Sequence, residues 1–475
     1  MPEHYDLVVV GSSFASSFFL KKALEFLGPS SKILVLERGK HFPHAERLEK
    51  KRNKQPLGNP SAQSTYSTNS NKVWIFDPSF GGSSNCWTGC TPRFMPSDFR
   101  LKSNYGQGSD WPISYDDLLP FYEEAEDIMQ IGGPGETPWP MRKPYSQPPQ
   151  VLSSVDKLLQ KEYGSNYISQ PTARATSPIG IRAECCTSAV CNLCPVNSKF
   201  TIDNSMTPLY DDPRIELRLE SQVISLDLTG NQADGVIYLS GGEEKKVTCD
   251  SVVLGANAIF NPHILLNSGD QSPLTGAGIS EQVGRFVRVY YDGLENLGGS
   301  SIITANGFMM YDGAHRSERA GCLIESFNTP FIRNEPGKWR QMSIFKFIYE
   351  DLPNTGNRVE KSNDMIKPRV RYSGHSEYCQ RGIDHLEEDF KRYFSFLPIS
   401  GYEIDAHNQD TEFHICSTTR MGVTPDDSVV DEGLIHHKFR NVIVLGSSVF
   451  PTISPANPTL TLSALSLMAA QNYFS

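Results

Sequence analysis

The fold is constrained most strongly by one stretch near the start of the chain, Asp6-Leu-Val-Val-Val-Gly-Ser-Ser-Phe-Ala-Ser16. Its first half is a short β-branched apolar run, which predicts a strand buried on both faces. A turn of small residues follows, and Ser17 to Leu27 has the apolar spacing of a helix. The next apolar run, Lys32-Ile-Leu-Val-Leu-Glu37, predicts a second strand. Together these segments predict a βαβ unit at the head of an α/β fold.

This βαβ unit has the chemistry of a nucleotide site. Backbone N–H groups of the turn and the positive end of the helix are suited to a pyrophosphate. Glu37, at the end of the second strand, is placed to accept hydrogen bonds from ribose hydroxyls. The glycine pattern is incomplete, because Ser13 and Ser16 take two of the three usual glycine positions and only Gly11 remains. The unit therefore predicts a dinucleotide but does not distinguish FAD from NAD.

Buried strands recur far along the chain. Two later segments are short apolar, β-branched runs like the first strand, Ser251-Val-Val-Leu-Gly255 and Asn441-Val-Ile-Val-Leu-Gly446. This likeness predicts one domain assembled from distant segments. Between them, alternating patterns such as Met342 to Tyr349 and Ile366 to Tyr372 predict a second sheet. We expect a nucleotide-binding domain from 1–110, 195–285 and 405–475, a cysteine-containing excursion at 111–194, and a substrate-binding domain at 286–404.

Composition narrows the classes of partner. The chain has 475 residues and a formal net charge of -10, which argues against nucleic acid and anionic membrane surfaces. No apolar run approaches the ~20 residues of a membrane-spanning helix. The start carries Glu3 and Asp6 rather than a basic leader. We therefore expect a cytoplasmic protein with no direct membrane span and no nucleic-acid partner; the alternative is export alongside a partner subunit that carries a signal.

Further motifs distinguish FAD from NAD as the cofactor. One is Gly81-Gly-Ser-Ser-Asn-Cys-Trp-Thr-Gly-Cys-Thr-Pro-Arg-Phe94, and another is His414-Ile-Cys-Ser-Thr-Thr-Arg-Met-Gly422. The chain closes with Gly446-Ser-Ser-Val-Phe-Pro-Thr452 and Asn457-Pro-Thr-Leu-Thr461. In this order the set resembles the glucose–methanol–choline (GMC) flavoprotein oxidoreductases, and among them the branch of pyranose oxidases and FAD-dependent sugar and polyol dehydrogenases.

The resemblance implies both fold and cofactor. The fold would be α/β, or α+β overall, with a Rossmann-like FAD-binding domain and a β-sheet substrate domain in a GMC or p-hydroxybenzoate-hydroxylase-like architecture. Gly81 and Gly82 would let the backbone pass close to the flavin, where a Cβ would collide. The residues expected to bind FAD are Gly11, Ser12, Ser13, Phe14, Ala15, Glu37, Arg38, Gly81, Gly82, Ser83, Asn85, Cys86, Trp87, Thr88, Val223, Gly255, Ala256, Gly446, Ser447, Pro458 and Thr459.

The same resemblance implies the catalytic pair, a histidine with a second histidine or asparagine over the flavin. These positions are His414 and Asn457. Oxidation of an alcohol removes the hydroxyl proton while a hydride leaves the same carbon. A neutral imidazole suits the first task, and an asparagine amide can hold the oxygen as alkoxide character develops.

Four cysteines lie close together, Cys185, Cys186, Cys191 and Cys194. Thiolates at this spacing favour a soft metal. By resemblance to iron–sulfur sugar dehydrogenases of the family, Cys185, Cys191 and Cys194 would hold a 3Fe-4S cluster, although the last pair is one residue closer than expected. A structural zinc, or thiols and a local disulfide beside the substrate entrance, are the alternatives.

Cys86 stands where pyranose oxidases carry the histidine that bonds to the flavin. A cysteinyl–FAD link is therefore an alternative to non-covalent FAD, which we favour. The activity expected from all of these features is oxidation of a CH–OH group of a sugar, glycoside or polyol, with electrons passed to oxygen, a quinone or a cytochrome subunit. A peroxide-producing oxidase is the near alternative, and a flavin-containing lyase is the alternative from another class.

Overall fold

The computed structural model describes residues 3–56, 61–68, 72–329 and 331–475. The strands of these residues are β1 His4–Val10, β2 Ile33–Leu36, β3 Tyr66–Ser67, β4 Tyr167–Ser169, β5 Ile215–Arg218, β6 Ser221–Thr229, β7 Gln232–Ser240, β8 Glu243–Leu254, β9 Val283–Tyr291, β10 Ile303–Met310, β11 Cys322–Phe327, β12 Met342–Tyr349, β13 Arg358–Glu360, β14 Arg369–Arg371, β15 Ile399–Ile404 and β16 Val442–Val444. The α-helices are α1 Phe14–Ala23, α2 His44–Arg52, α3 Leu101–Tyr105, α4 Tyr115–Met129, α5 Ser154–Tyr163, α6 Ile202–Ser205, α7 Thr207–Tyr210, α8 Asn257–Asn267, α9 Glu377–Asp384, α10 Leu386–Phe394 and α11 Thr459–Phe474.

The first sheet gathers strands from both ends of the chain. Its order is β5–β2–β1–β8–β7–β6, and β16 joins the end of β8. The pairs β1–β2, β1–β8, β2–β5 and β8–β16 are parallel, whereas β6, β7 and β8 form an antiparallel meander. Helices α1 and α11 pack against each other, and Phe18 and Leu465 bury their side chains in the core of this sheet. The predicted βαβ unit and the assembly from distant segments are thus present.

The second sheet lies in the middle of the chain and has the order β15–β9–β12–β11–β10–β4. Each neighbouring pair is antiparallel. One face packs on helices α5, α9 and α10 through an apolar cluster that includes Phe345, Ile383 and Phe390. The edge strand β4 comes from the 111–194 excursion, so this segment helps to build the second sheet.

A third, smaller sheet has the order β13–β14–β3. Helix α1 begins at Phe14, three residues before the predicted start, and the Ser16 and Ser17 hydroxyls donate back to the carbonyls of Val10 and Ser12, which precede the helix. Throughout the described ranges, no helix combines the length and apolar character needed to cross a membrane.

Candidate functional site

A cleft of about 640 Å³ opens at the carboxyl ends of the parallel strands β1 and β2. Ligands of open α/β sheets bind at this edge. The cleft is lined by ten of the residues expected to bind FAD, which are Gly11, Ser12, Ser13, Glu37, Arg38, Gly82, Ser83, Val223, Gly255 and Ala256. The sequence motifs from four distant segments therefore meet at one cavity.

The glycines of this cleft allow close packing of three chain segments. Gly11 has φ +90°, and a Cβ there would lie 2.7 Å from the carbonyl oxygen of Gly255. A Cβ at Gly255 would lie 2.1 Å from the hydroxyl of Ser16, the residue at the third glycine position. Gly82 has φ +52°, and its Cβ would lie 2.6 Å from the Cβ of Ser13. Serine is thus tolerated in the first turn because its neighbours are glycine.

Ser12 and Glu37 form the polar centre of the cleft. The Ser12 hydroxyl donates to Glu37 Oε2 at 2.7 Å, and it accepts the N–H of Gly81 at 3.0 Å. Glu37 Oε1 accepts only the N–H of Gly39, at 2.9 Å, so this oxygen retains a lone pair for a hydroxyl ligand. Burial raises the pKa of Glu37. The arrangement fits the predicted contact with ribose.

Arg38 supplies an unpaired donor beside Glu37. Its guanidinium lies 4.5 Å from the ring centroid of Phe260, and Nη1 is buried with no hydrogen-bond partner. An orphaned buried donor of this kind is costly unless a ligand completes it. The described residues of the cleft therefore fit a nucleotide cofactor such as FAD.

The other expected FAD-binding residues do not line this cleft. Several of these residues instead form hydrogen bonds to the segments that line the cleft. Asn85 Nδ2 donates to the carbonyls of Phe80 and Gly82, both at 2.9 Å. The Ser447 hydroxyl donates to the carbonyl of Ile415 at 2.6 Å, which ties the C-terminal turn to the His414 segment. The residues outside the lining are Phe14, Ala15, Gly81, Asn85, Cys86, Trp87, Thr88, Gly446, Ser447, Pro458 and Thr459.

Sequence reasoning also missed part of the lining. The missed residues are Val10, Leu36, Phe76, Asp77, Pro78, Ser221, Gln222, Asn257, Phe260 and Ile264. Ser221 and Gln222 precede Val223 on β6, so extending that prediction by two residues would have found them. Phe76, Asp77 and Pro78 belong to a segment without regular structure and carry no recognisable pattern.

His414, the histidine predicted to be catalytic, is held by a glutamine that the sequence motifs do not mark. His414 Nδ1 lies 2.6 Å from Gln282 Oε1. Gln282 is buried, and its Nε2 donates to the carbonyls of Ser454 and Ala456, the latter at 2.7 Å. Since Ala456 precedes Asn457, one side chain connects both catalytic segments.

These contacts determine where the imidazole carries its proton. Two carbonyl acceptors orient the Gln282 amide, so its oxygen must face His414 and accept a hydrogen bond from Nδ1–H. The lone pair of the neutral ring then lies on Nε2. Burial, with a smaller contribution from Lys346, lowers the pKa of His414 to about 3. The ring is therefore neutral at physiological pH, and its Nε2 lone pair is the atom that can accept a proton or a hydrogen bond.

Asn457 lies beside a buried acid. Its Nδ2 lies 3.4 Å from Glu325 Oε1, and its Oδ1 is buried without a partner. Burial, opposed in part by Lys346, raises the pKa of Glu325 to about 7. Lys346 forms an ion pair with Glu412, two residues before His414. The predicted pair thus sits in a larger polar cluster contributed by the second sheet.

The predicted metal site at the cysteines is not supported by the structure. Cys191 Sγ lies 3.1 Å from Ser301 Oγ, and Cys194 Sγ accepts the N–H of Ser198 at 3.2 Å. All ten cysteines lie in the described part of the chain and are free thiols. Among described residues, no group of three His, Cys, Asp or Glu side chains is placed to hold a metal ion. The described residues therefore give no support to the predicted 3Fe-4S cluster at Cys185, Cys191 and Cys194, or to the zinc alternative.

Cys86 has an exposed thiol whose Sγ lies 3.6 Å from the carbonyl of Ser83. The protein atoms around it, and next the charge of Asp77, raise the pKa of this thiol to about 11. A thiol is nucleophilic as its thiolate, so the neutral sulfur favours non-covalent FAD.

A mixed sheet with a cleft at the ends of its parallel strands, together with a second antiparallel sheet, defines the class as an α/β protein with a nucleotide-type cleft. Residues 360–466 match the family described as GMC oxidoreductase. The fructose dehydrogenase large subunit of Gluconobacter japonicus is 24% identical over 98% of this chain and 97% of its own length. The 2-methyl-1,2-propanediol dehydrogenase of Mycolicibacterium austroafricanum is 24% identical over 82% of this chain and 79% of its own.

The fold agrees with these sequence matches. The crystal structure of pyridoxine 4-oxidase from Mesorbium loti superposes with a TM-score of 0.70 at 17% identity, covering 99% of both chains. The chain is thus similar to GMC oxidoreductases, in its C-terminal part by the family match and over most of its length by these relatives. The predicted fold class is confirmed, and the matches agree with the predicted resemblance to the GMC oxidoreductases.

Proposed function

We propose that this enzyme oxidises a secondary or primary alcohol of a sugar, glycoside or polyol, with His414 as the base. Two relatives support the substrate class through their names, fructose dehydrogenase and 2-methyl-1,2-propanediol dehydrogenase. The observation that carries the proposal is the contact of the half-buried His414 with Gln282, which holds Nδ1–H and leaves Nε2 as the atom to take a proton.

The residues divide the chemistry between them. His414 Nε2 takes the hydroxyl proton of the substrate, because a neutral imidazole is a base at physiological pH. Asn457 Nδ2 donates to the same oxygen and stabilises its developing negative charge. The Gly11 turn and Glu37 would hold FAD, which would supply the acceptor for the hydride of the carbinol carbon. No step runs through the cysteines.

We propose a dehydrogenase rather than an oxidase. The two relatives are dehydrogenases, and one is named a large subunit, which supports electron transfer to a partner protein or a quinone. Anaerobically reduced enzyme mixed with oxygen tests this point. Slow reoxidation by oxygen and fast reoxidation by a quinone or dye are expected, and stoichiometric rapid peroxide would identify an oxidase.

The base is tested by His414→Ala in anaerobic stopped-flow measurements of flavin reduction with a panel of hexoses, hexitols and glycosides. Loss of a general base lowers the rate by about 10²- to 10⁴-fold, while the FAD content stays at the wild-type level. The matched control is His385→Ala, which removes an exposed imidazole at the end of α9. Flavin reduction at a normal rate in the His414 variant would reject the assignment.

A further inference from the structure

A row of polar side chains crosses the second sheet on the face opposite its helices. Asn306 on β10 pairs with Glu325 on β11, and Glu325 pairs with Lys346 on β12. Directly paired residues of antiparallel strands point to the same face. All three side chains are buried. The opposite face of β12 carries Phe345, which packs in the apolar cluster against the helices, so the row lies on the face away from them.

The row ends at the catalytic residues. Glu325 Oε1 lies 3.4 Å from Asn457 Nδ2, and Lys346 pairs with Glu412, two residues before His414. Asn306 is the next residue beyond Glu325 across the ladder. A molecule held by Asn457 would therefore have Glu325 beside it, with Asn306 one position further across the ladder.

Asn306 is the most informative member of the row. Its exposed fraction is 0%, and neither Oδ1 nor Nδ2 has a hydrogen-bond partner. Asn457 Oδ1 and Glu412 Oε1 are likewise buried and unpartnered. Buried amides are nearly always hydrogen-bonded in native proteins, so a set of unsatisfied groups on one surface points to a polar ligand.

The mixture of groups defines the ligand's chemistry. The amide of Asn306 offers both donors and an acceptor. The unpartnered oxygens of Asn457 and Glu412 each offer an acceptor. A hydroxyl both donates and accepts, so hydroxyls on neighbouring carbons satisfy these groups together, whereas an alkyl chain leaves them unpaired. We infer that Asn306, with Glu325, binds hydroxyls adjacent to the one oxidised and so selects polyhydroxylated substrates over simple alcohols. This inference rests on the proposed function.

The test compares Asn306→Ala with Ser343→Ala. Ser343 is also buried with an unpartnered hydroxyl, but it lies on β12 facing the other side of the sheet. Flavin reduction is measured with a panel of hexitols and hexoses and with 1-propanol. We expect Asn306→Ala to raise KM for the polyols at least tenfold, leaving kcat and the rate with 1-propanol within twofold. Ser343→Ala should preserve the wild-type ratio.

Binding without turnover separates this inference from the proposed function. Dithionite-reduced enzyme cannot accept a hydride, so calorimetric titration with the same polyols reports affinity alone. We expect at least tenfold weaker binding in Asn306→Ala. Equal binding by the variant and the wild type, no polyol binding by either, or loss of FAD in Asn306→Ala overturns the inference. Polyol binding to wild type without any flavin reduction in the oxidised enzyme instead overturns the proposed function.

Discussion

In the native protein the carboxyl group of Glu325 stays protonated to a higher pH than an ordinary glutamate does. Replacing Glu325 with glutamine removes this group. In an unfolded chain a glutamate releases its proton near pH 4.5, whereas burial raises the pKa of Glu325 in the native protein to about 7. Between these values the native state binds more protons than the unfolded state. Wild-type stability must therefore fall as the pH rises through this window.

The size of the effect follows from the pKa difference. Each pKa unit corresponds to about 1.4 kcal/mol, so a rise from 4.5 to about 7 corresponds to about 3 kcal/mol of lost stability at pH 8. Glu325→Gln keeps the shape of the side chain and has no proton to lose. The free energy of unfolding of the variant, relative to wild type, should thus increase by about 3 kcal/mol between pH 4.5 and pH 8.

Urea unfolding of the FAD-saturated protein at pH 4.5, 5.5, 6.5, 7.5 and 8 measures this difference (pH values chosen to span roughly the window set by the two pKa values). The control is Glu377→Gln, which removes a carboxylate on the exposed surface of α9 and should show no comparable slope. A difference between Glu325→Gln and wild type that does not vary with pH, or that varies with the opposite sign, would refute the reasoning.

Other perturbations address the remaining contacts. Gln282→Met removes the acceptor that fixes the tautomer of His414, so kcat in flavin reduction should fall by about tenfold or more with FAD retained; an unchanged kcat contradicts the orienting role. Gly82→Ala forces a left-handed alanine whose Cβ meets Ser13 at 2.6 Å, so unfolding free energy should drop by about 2 kcal/mol or more and FAD should bind more weakly; Gly135→Ala, with open space around it, is the neutral control in the same urea and FAD titrations. Acid precipitation should release FAD into the supernatant, because the Cys86 thiol is protonated at neutral pH; flavin that stays with the pellet would show a covalent bond.

The segments predictable from sequence are those whose structure is decided locally. The buried apolar runs of β1 and β2 and the start of α11 at Thr459 are visible in the chain because burial on both faces and helix entry leave clear patterns. The glycines beside the cleft were likewise recognisable, since their conformations or contacts exclude a Cβ. Family motifs then located His414 and Asn457.

The residues that complete the site were not predictable in the same way. Gln282 is far from His414 in sequence, and its role depends on two carbonyls of the 454–456 segment. Glu325 and Asn306 lie on strands of the least distinctive region, and only the register of the ladder brings them together. The predicted metal site at the cysteines is not supported either. Close spacing in sequence did not give a group of three possible metal ligands among the described residues.

Gln282 immediately precedes β9, the strand at which the chain enters the second sheet. The same amide holds the base through His414 and the backbone leading to Asn457. The residues proposed as base and oxyanion donor are therefore tied together by one side chain, whereas Asn306 and Glu325 are positioned by the ladder of the second sheet. Under the proposed function, substitutions at Asn306 are expected to change which alcohol is accepted, whereas a change at Gln282 is expected to disturb both His414 and the approach to Asn457.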